Sequence, residues 1–579
     1  MKNNNNKVLV ALCAAFLMTP VYATELVIYV YADRTPSSVA SATYSYDAVE
    51  VEELEEVSSL DILRSGPKGQ MSSLYIRGAD SDQSLITLNG ISIKDQSSPT
   101  GADDLGQHNF TGISLVEVYK GPMSSLYGAN AAGGVVNLVS DVTGRSYVSS
   151  TIGSNNLLLG ETQLSGKVQD IDYSLTLGKE TSDGISVYPN GKETDPYDNE
   201  NINLNLLYAT DNTNVKLNYI NETNFTNLDS MYDTLNYTGK WNWTNTQLDI
   251  SNETSRFVLN NSSHNRVYTK DNLVEGNYDS TVNTLYGSRL IKLANTDLIV
   301  GGELEEIDAT FLTNIRGMWP YTSSVDKERT SKGVFANTNT VMLNSTIISA
   351  GVRRDSVDGF GNRTTGRVGV YKNNLRASIA TGYRIPTLYE MYGQDNYGFS
   401  GNPNLQEEST LSYEVGYQTN YTNTAFFITK ESDAIIYNGT YVNDTDTSYT
   451  KGIENKISYE LNDFFITNSF SYIEAKQSNG TEKLRRPKFN NNLKIAKVIN
   501  NIAYSFAVDY YGKHKDIDST TFQTIDAGSV ITYNSEMKYK KNSLEVFAGI
   551  YNISNEQYER PNGYSQLGRN FKLGFRKYF

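Results

Sequence analysis

An all-β transmembrane barrel of about twenty-two antiparallel strands, preceded by a small N-terminal mixed α/β domain, is the fold this sequence predicts. Three observations carry it. The chain ends Phe571-Lys572-Leu573-Gly574-Phe575-Arg576-Lys577-Tyr578-Phe579. Side chains of a strand alternate faces, so Phe571, Leu573, Phe575 and Phe579 share one side; Lys577 interrupts that row, but its stem can lie in lipid with its ammonium in water. From about Arg145 onward, alternating segments recur between Asn/Asp/Gly-rich connections. Ile202, Leu204, Leu206 and Tyr208 alternate with Asn201, Asn203, Asn205 and Leu207, while Val215, Leu217 and Tyr219 alternate with Lys216, Asn218 and Ile220. Finally, mean hydropathy is −0.46, and past the N-terminus no apolar run is long enough to span a bilayer as a helix. Barrel strands satisfy both conditions because only half their residues meet lipid.

Taken in order, Met1 to Ala23 places Lys2 and Lys7 before an apolar stretch from Val8 to Met18 and ends on Val21-Tyr22-Ala23. This pattern predicts a secretory leader, residues 1–23. The single cysteine, Cys13, lies inside it, so no disulfide is expected in the mature chain. Gly-punctuated short segments follow up to about Ser140. An acidic stretch from Asp47 to Leu63 predicts a short helix through Leu54, Val57, Leu60 and Leu63. Strands are expected at Leu74 to Ile76, Leu85 to Leu88, Leu115 to Tyr119 and Val135 to Val139. The chain beyond Arg145, shared among about twenty-two strands, leaves roughly twenty residues for each strand and its connection. Closure into a barrel removes the exposed edges that an open sheet of this size would carry.

Charge and composition narrow the function. The net charge is −15, which opposes binding to nucleic acid or an anionic surface. The chain has three histidines, His108, His264 and His514, and no Ser/His/Asp arrangement or nucleotide-binding loop stands out, so an enzyme is not expected. A passive pore would need no N-terminal domain, and an adhesin would leave that domain's motifs unexplained.

Those motifs run in order: Tyr75-Ile76-Arg77-Gly78, Leu88-Asn89-Gly90-Ile91, Val116-Glu117-Val118-Tyr119-Lys120-Gly121-Pro122, and Leu126-Tyr127-Gly128 through Gly133-Gly134-Val135-Val136-Asn137-Leu138. Further landmarks are Tyr383-Arg384-Ile385-Pro386, Gly401-Asn402-Pro403-Asn404-Leu405, Tyr413-Glu414-Val415-Gly416-Tyr417, and the closing Gly563-Tyr564 to Gly568-Arg569. Together these resemble the TonB-dependent outer-membrane receptors. The resemblance implies a TonB box segment at 24–34, a plug domain at 35–142 and an outer-membrane β-barrel at 143–579. It also implies a monomer in outer-membrane lipid, energised by the TonB complex of the inner membrane. Glu25-Leu26-Val27-Ile28-Tyr29-Val30 then reads as the TonB box, a β-prone segment able to add itself to a partner's sheet edge.

Within the family the chain looks most like cobalamin transporters; a ferric siderophore receptor, and behind it a haem receptor, are the alternatives. Haem receptors place a histidine between the Arg-x-Pro and Asn-Pro-Asn-Leu stretches, and none occurs here between Pro386 and Asn402. The expected ligand contacts are the plug loops Asp80, Ser81, Asp82, Gln83 and Asp95, Gln96, Ser97, Ser98. Their neutral-to-acidic character suits a bulky neutral or cationic ligand. His108 could face the ligand chamber or be an ordinary hydrogen-bonded histidine. Beyond a candidate calcium no cofactor is expected. The resemblance extends to calcium-binding loop carboxylates, here Asp183, Asp195, Asp198, Glu200, Asp229 and Asp233, which offer the hard oxygens calcium takes. Arg77 and Lys120 match plug cations that pair with barrel glutamates, for which Glu303 and Glu414 are the named partners. Lys120 stands where arginine is usual, so that pairing loses its bidentate fork.

Overall fold

The computed structural model describes residues 43–98, 101–142, 144–191, 193–229, 236–315, 320–342, 345–394 and 400–579. The leader at 1–23, the TonB box residues Glu25 to Val30 and Asp233 lie outside the described residues. Twenty-two strands form one closed barrel in which the first, Tyr147–Gly153, pairs antiparallel with the last, Asn570–Tyr578. All neighbouring barrel strands are antiparallel, as short hairpin connections require.

The period-two reading fixes the two faces of the wall. Along Tyr197–Ala209, Asn199, Asn201, Asn203 and Asn205 are buried against the interior, while Ile202 and Tyr208 are exposed on the outside. Phe571, Leu573 and Phe575 of the closing strand are likewise exposed outward, where lipid takes the place of a protein core. One end of the barrel carries tight turns, several with Asn or Asp at positive φ such as Asn373-Asn374 and Asn462-Asp463. The other end carries the long connections 183–196, 385–407, 512–529 and 552–569. Short turns mark the periplasmic rim and long loops the extracellular one.

Inside sits the plug. Its five-stranded sheet runs in the order Tyr46–Val49, Leu115–Lys120, Gly134–Val139, Ser84–Leu88 and Ile91–Ser92, with one parallel pair between Ser84–Leu88 and Gly134–Val139. Leu60–Arg64 and Ser72–Ile76 form a separate hairpin. The strand expectations at 74–76, 85–88, 115–119 and 135–139 all fall within these elements. Gly134 shows why glycine is needed: a Cβ there would lie 2.6 Å from the Tyr119 carbonyl oxygen and 2.8 Å from Ile76.

The expected helix from Leu54 to Leu63 requires correction. A 3-10 helix spans Val51–Glu56 only, and Leu60 and Leu63 belong to a strand. Ser59, at φ 63°, turns the chain out of helical geometry. Leu60 and Ile62 are then captured opposite Ile76 and Leu74. Among the described residues the plug's α-helix is the four-residue Ser124–Tyr127, and 3-10 turns span Val51–Glu56, Ser81–Gln83 and Leu105–Gln107.

Candidate functional site: the plug against the barrel wall

Among the polar contacts that hold the plug, two clusters stand out, one in the periplasmic half of the wall and one beneath the extracellular loops. In the first, Arg77 sits at φ 53° and sends Nη1 to Glu414 (2.8 Å) and Nη2 to Glu454 (2.7 Å). Its guanidinium also lies 4.4 Å from the Phe427 ring centroid, a favourable cation–π contact. Glu414 accepts a second bond from Arg376 Nε at 2.8 Å and a third from the Ser45 hydroxyl at 3.1 Å. Lys120 pairs with Asp47 at 2.8 Å and with Glu454 at 3.6 Å. Burial alone would raise Asp47, but the Lys120 ammonium together with that of Lys456 outweighs it and holds the carboxyl below its ordinary range. Three cations and three carboxylates thus neutralise one another out of water.

The expected partner set is corrected at one position. Glu303 pairs with the barrel's own Arg353 (3.0 Å), which is also held by Asp355 (2.7 Å). Glu454 takes the place assigned to Glu303. No motif marks Glu454; its inward parity with Ser448 and Thr450 on Tyr441–Leu461 is the signal that could have found it.

The second cluster grips the first plug loop. Asp80 pairs with Lys483 (2.7 Å) and Arg486 (2.5 Å). Burial would raise its carboxyl, yet these two cations hold it down at about 2. Gln83 donates to Glu408 (2.8 Å) and to Glu431. Ser81 opens a 3-10 turn, Ser81–Gln83, and is half-buried. Fully buried Arg384 is shared by Asp82 (3.3 Å), Glu390 (2.9 Å) and Glu408 (2.8 Å). Asp82 holds the longest of these contacts, and its second oxygen has no partner among the described residues. Burial, then the neighbouring carboxylates, outweigh Arg384 and push Asp82 up to about 8.

The second plug loop is turned inward. Asp95 accepts from the Ser97 amide (2.8 Å) and hydroxyl (2.6 Å) and from Ser280 (2.9 Å), and pairs with Arg266 at 2.8 Å. The Gln96 amide donates to Ser280 at 3.2 Å and Ser98 donates to the Ala102 carbonyl at 3.0 Å. All four residues, Asp95 to Ser98, are buried. His108 is buried too, with Nδ1 3.1 Å from Glu222 and its ring edge-on to Trp241 and Trp243 at 4.9 and 5.0 Å.

Among the acidic loop residues, Asp195 and Asp229 converge with Glu193, which the sequence reading had missed; their carboxylate oxygens lie within 4.8 Å of one another. Asp183 instead accepts from Asn156 at 2.5 Å. Asp198 and Glu200 are corrected: they share the outward parity of Ile202 and both pair with Lys179, at 2.7 and 2.6 Å. An outward-facing pair on a strand cannot join a loop cluster on the inner side.

Comparison with known proteins agrees with this architecture. The family described as "TonB dependent receptor-like, beta-barrel" matches residues 144–553, and "TonB-dependent Receptor Plug Domain" matches 45–135. The vitamin B12 transporter BtuB of Vibrio cholerae serotype O1 is 24% identical, covering 97% of this chain and 98% of the relative. The siderophore receptor PirA of Acinetobacter baumannii superposes with a TM-score of 0.75 at 15% identity, covering 93% of this chain and 99% of that one. The ferric yersiniabactin uptake receptor FyuA of Yersinia pestis gives 0.72 at 18% identity, with 95% and 100% covered. With a closed twenty-two-strand wall, an ion-paired plug inside it and family matches over both parts, the chain belongs to the TonB-dependent receptors of the outer membrane.

Proposed function

We propose that this receptor carries cobalamin across the outer membrane, binding it on the apical plug loops and extracellular barrel loops. The observation that carries the reading is the end-to-end match to a vitamin B12 transporter, which leaves neither chain with a large unmatched part. The absence of histidine between Pro386 and Asn402 separates it from haem. A ferric siderophore is the second reading, favoured by the siderophore receptors that share the fold. Calorimetry on the purified receptor with cyanocobalamin, a ferric siderophore and haem tests this. Saturable cyanocobalamin binding alone is expected; binding of a ferric siderophore in its place reverses the assignment.

Glu25 to Val30 would lend a strand to TonB, and the latch around Arg77 would yield when that strand is pulled. Val27→Pro is expected to abolish energised uptake and leave ligand affinity unchanged, because proline removes a donor from the added ladder. Uptake at the wild-type rate in that variant rules out the box.

Glu193, Asp195 and Asp229 would hold a calcium ion. Three carboxylates, with Asp195 almost wholly buried, supply the charge and hard oxygens this cation takes. Asp195→Asn is expected to remove the heat of calcium binding, whereas Asp198→Asn on the outward pair should retain it. The opposite ranking would return the site to Asp198.

A further inference from the structure

Cations that face the barrel interior here are generally answered by carboxylates: Arg77, Arg266, Arg353, Arg376, Arg384 and Lys483 all have them. Three residues on the extracellular side depart from this. Lys327 and Arg329 lie two apart on the inner face of Tyr321–Val341. Lys327 is half-buried, its ammonium 4.7 Å from the Tyr392 ring centroid. Arg329, one step deeper, is 7% exposed; it donates to the Pro386 carbonyl at 2.8 Å and to the Met391 sulfur at 3.4 Å, and lies 5.4 Å from the Phe360 ring. Lys94 of the plug, 2% exposed, lies beneath the same segment: a Cβ at Gly101 would touch both its ammonium (3.3 Å) and Thr387 (2.3 Å). Among the described residues none of the three forms an ion pair with a carboxylate. The acids that act on them most are engaged elsewhere or stand off. Asp103, beside Lys94, accepts the Asp95 amide, Asp82 and Glu390 meet Arg384, and Asp358 accepts the Thr330 amide. Glu305 faces the interior near Arg329 without closing to an ion pair with it. Burial, and then repulsion from the Arg384 guanidinium, outweigh the nearby carboxylates and push Lys94 down to about 8.

Burying a cation unpaired is costly, and an anion supplied from outside relieves that cost. The aromatic and carbonyl groups around Lys327 and Arg329 orient them without neutralising them. We propose that Lys327, Arg329 and Lys94 form a descending cationic subsite that takes an anionic oxygen group of the transported ligand. This rests on the receptor reading above and deepens it. The shared chemistry is a phosphodiester, as in the nucleotide loop of a complete corrinoid, or the ionised oxygens of a ferric chelate. It also alters the sequence expectation of a neutral-to-acidic chamber, because that expectation rested on plug loops alone, and two of these three cations come from the wall.

The test uses full-length receptor in detergent, as wild type, Lys327→Gln and Arg329→Gln, at constant ionic strength. Inorganic pyrophosphate is expected to raise the thermal midpoint of wild type and to do so less in both variants. Lys327→Gln, at the half-buried step, guards against a folding defect in Arg329→Gln. No stabilisation of wild type, or equal stabilisation in the variants, overturns the subsite. Ligand arms then separate the sources. If cyanocobalamin weakens about tenfold in the variants while dicyanocobinamide, which lacks the phosphodiester, is unchanged, the anion is the nucleotide-loop phosphate. If a ferric tris-catecholate weakens while a neutral ferric tris-hydroxamate does not, the subsite stands and the cobalamin assignment falls. Full-strength cyanocobalamin binding in both variants leaves that assignment standing and overturns the subsite.

Discussion

Replacing Arg77 by methionine is expected to loosen the plug by about 3–5 kcal/mol, the usual loss when one partner of a buried ion pair is removed. The loss arises from what stays behind. Glu414 would keep Arg376 and Glu454 would keep Lys120, but the six-charge cluster would carry a net negative charge with no water to spread it. The double variant Arg77→Met, Glu454→Gln restores neutrality and is expected to recover most of the loss. Glu454 is the better second site than Glu414 because it takes two donors from Arg77, Nη2 at 2.7 Å and Nε at 3.3 Å. Denaturant unfolding in detergent gives the stability. Sensitivity of cells to a bulky antibiotic that intact barrels exclude gives passive leakage. Arg77→Met should leak and the double variant should leak less. A double variant as leaky as the single would mean that bidentate geometry, not charge balance, seats the plug.

The parts that were legible in the sequence are those with short-range physical causes. The barrel wall could be read because lipid on one side and a polar interior on the other impose a period of two. The run from Asn199 to Tyr208 carries that period almost without error. Four of the plug strands, at 74–76, 85–88, 115–119 and 135–139, could be read because each is a short apolar run with a glycine or serine within two residues of its end. The segment from Val51 to Leu63 was misread because Leu54, Val57, Leu60 and Leu63 also fit a helical spacing; the turn at Ser59 and the strand partner at Ile76 decide otherwise. Site residues divide in the same way. Arg77 and Glu414 lie in family motifs, whereas Glu454 meets Arg77 across 377 residues of chain, a contact that no local pattern encodes. Asp198 and Glu200 were grouped by composition with Asp195, although strand alternation already placed them on the opposite face. Lys94, Lys327 and Arg329 were passed over because a charge looks solvated until burial and partners are known.

Arg384→Met is expected to release the apical face at a comparable cost, about 3–5 kcal/mol. Its guanidinium is fully buried and serves three carboxylates from three segments: Asp82 of the plug loop, Glu390 after the strand, and Glu408 on the next strand. Without it the loop from Ala79 to Gln83 would be left to the Asp80 and Gln83 contacts to Lys483, Arg486, Glu408 and Glu431 and to its backbone bonds with Arg486 and Gly133. The competition for one guanidinium also sets a pH dependence in the intact protein. Asp82 is raised from its ordinary range to about 8, so between about pH 4 and pH 8 the folded protein binds a proton there that the unfolded chain has released. Stability from this group is therefore full below pH 4 and falls as pH rises toward 8, the reverse of Asp80, whose depressed carboxyl stabilises above pH 4 and is lost toward pH 2. Asp82→Asn keeps the shape and removes the titration. Unfolding midpoints measured from pH 5 to pH 9 should fall less steeply in Asp82→Asn than in wild type, with the two curves furthest apart at the alkaline end. Parallel curves would show that Arg384 holds Asp82 ionised after all, and that the clamp has charge enough for all three.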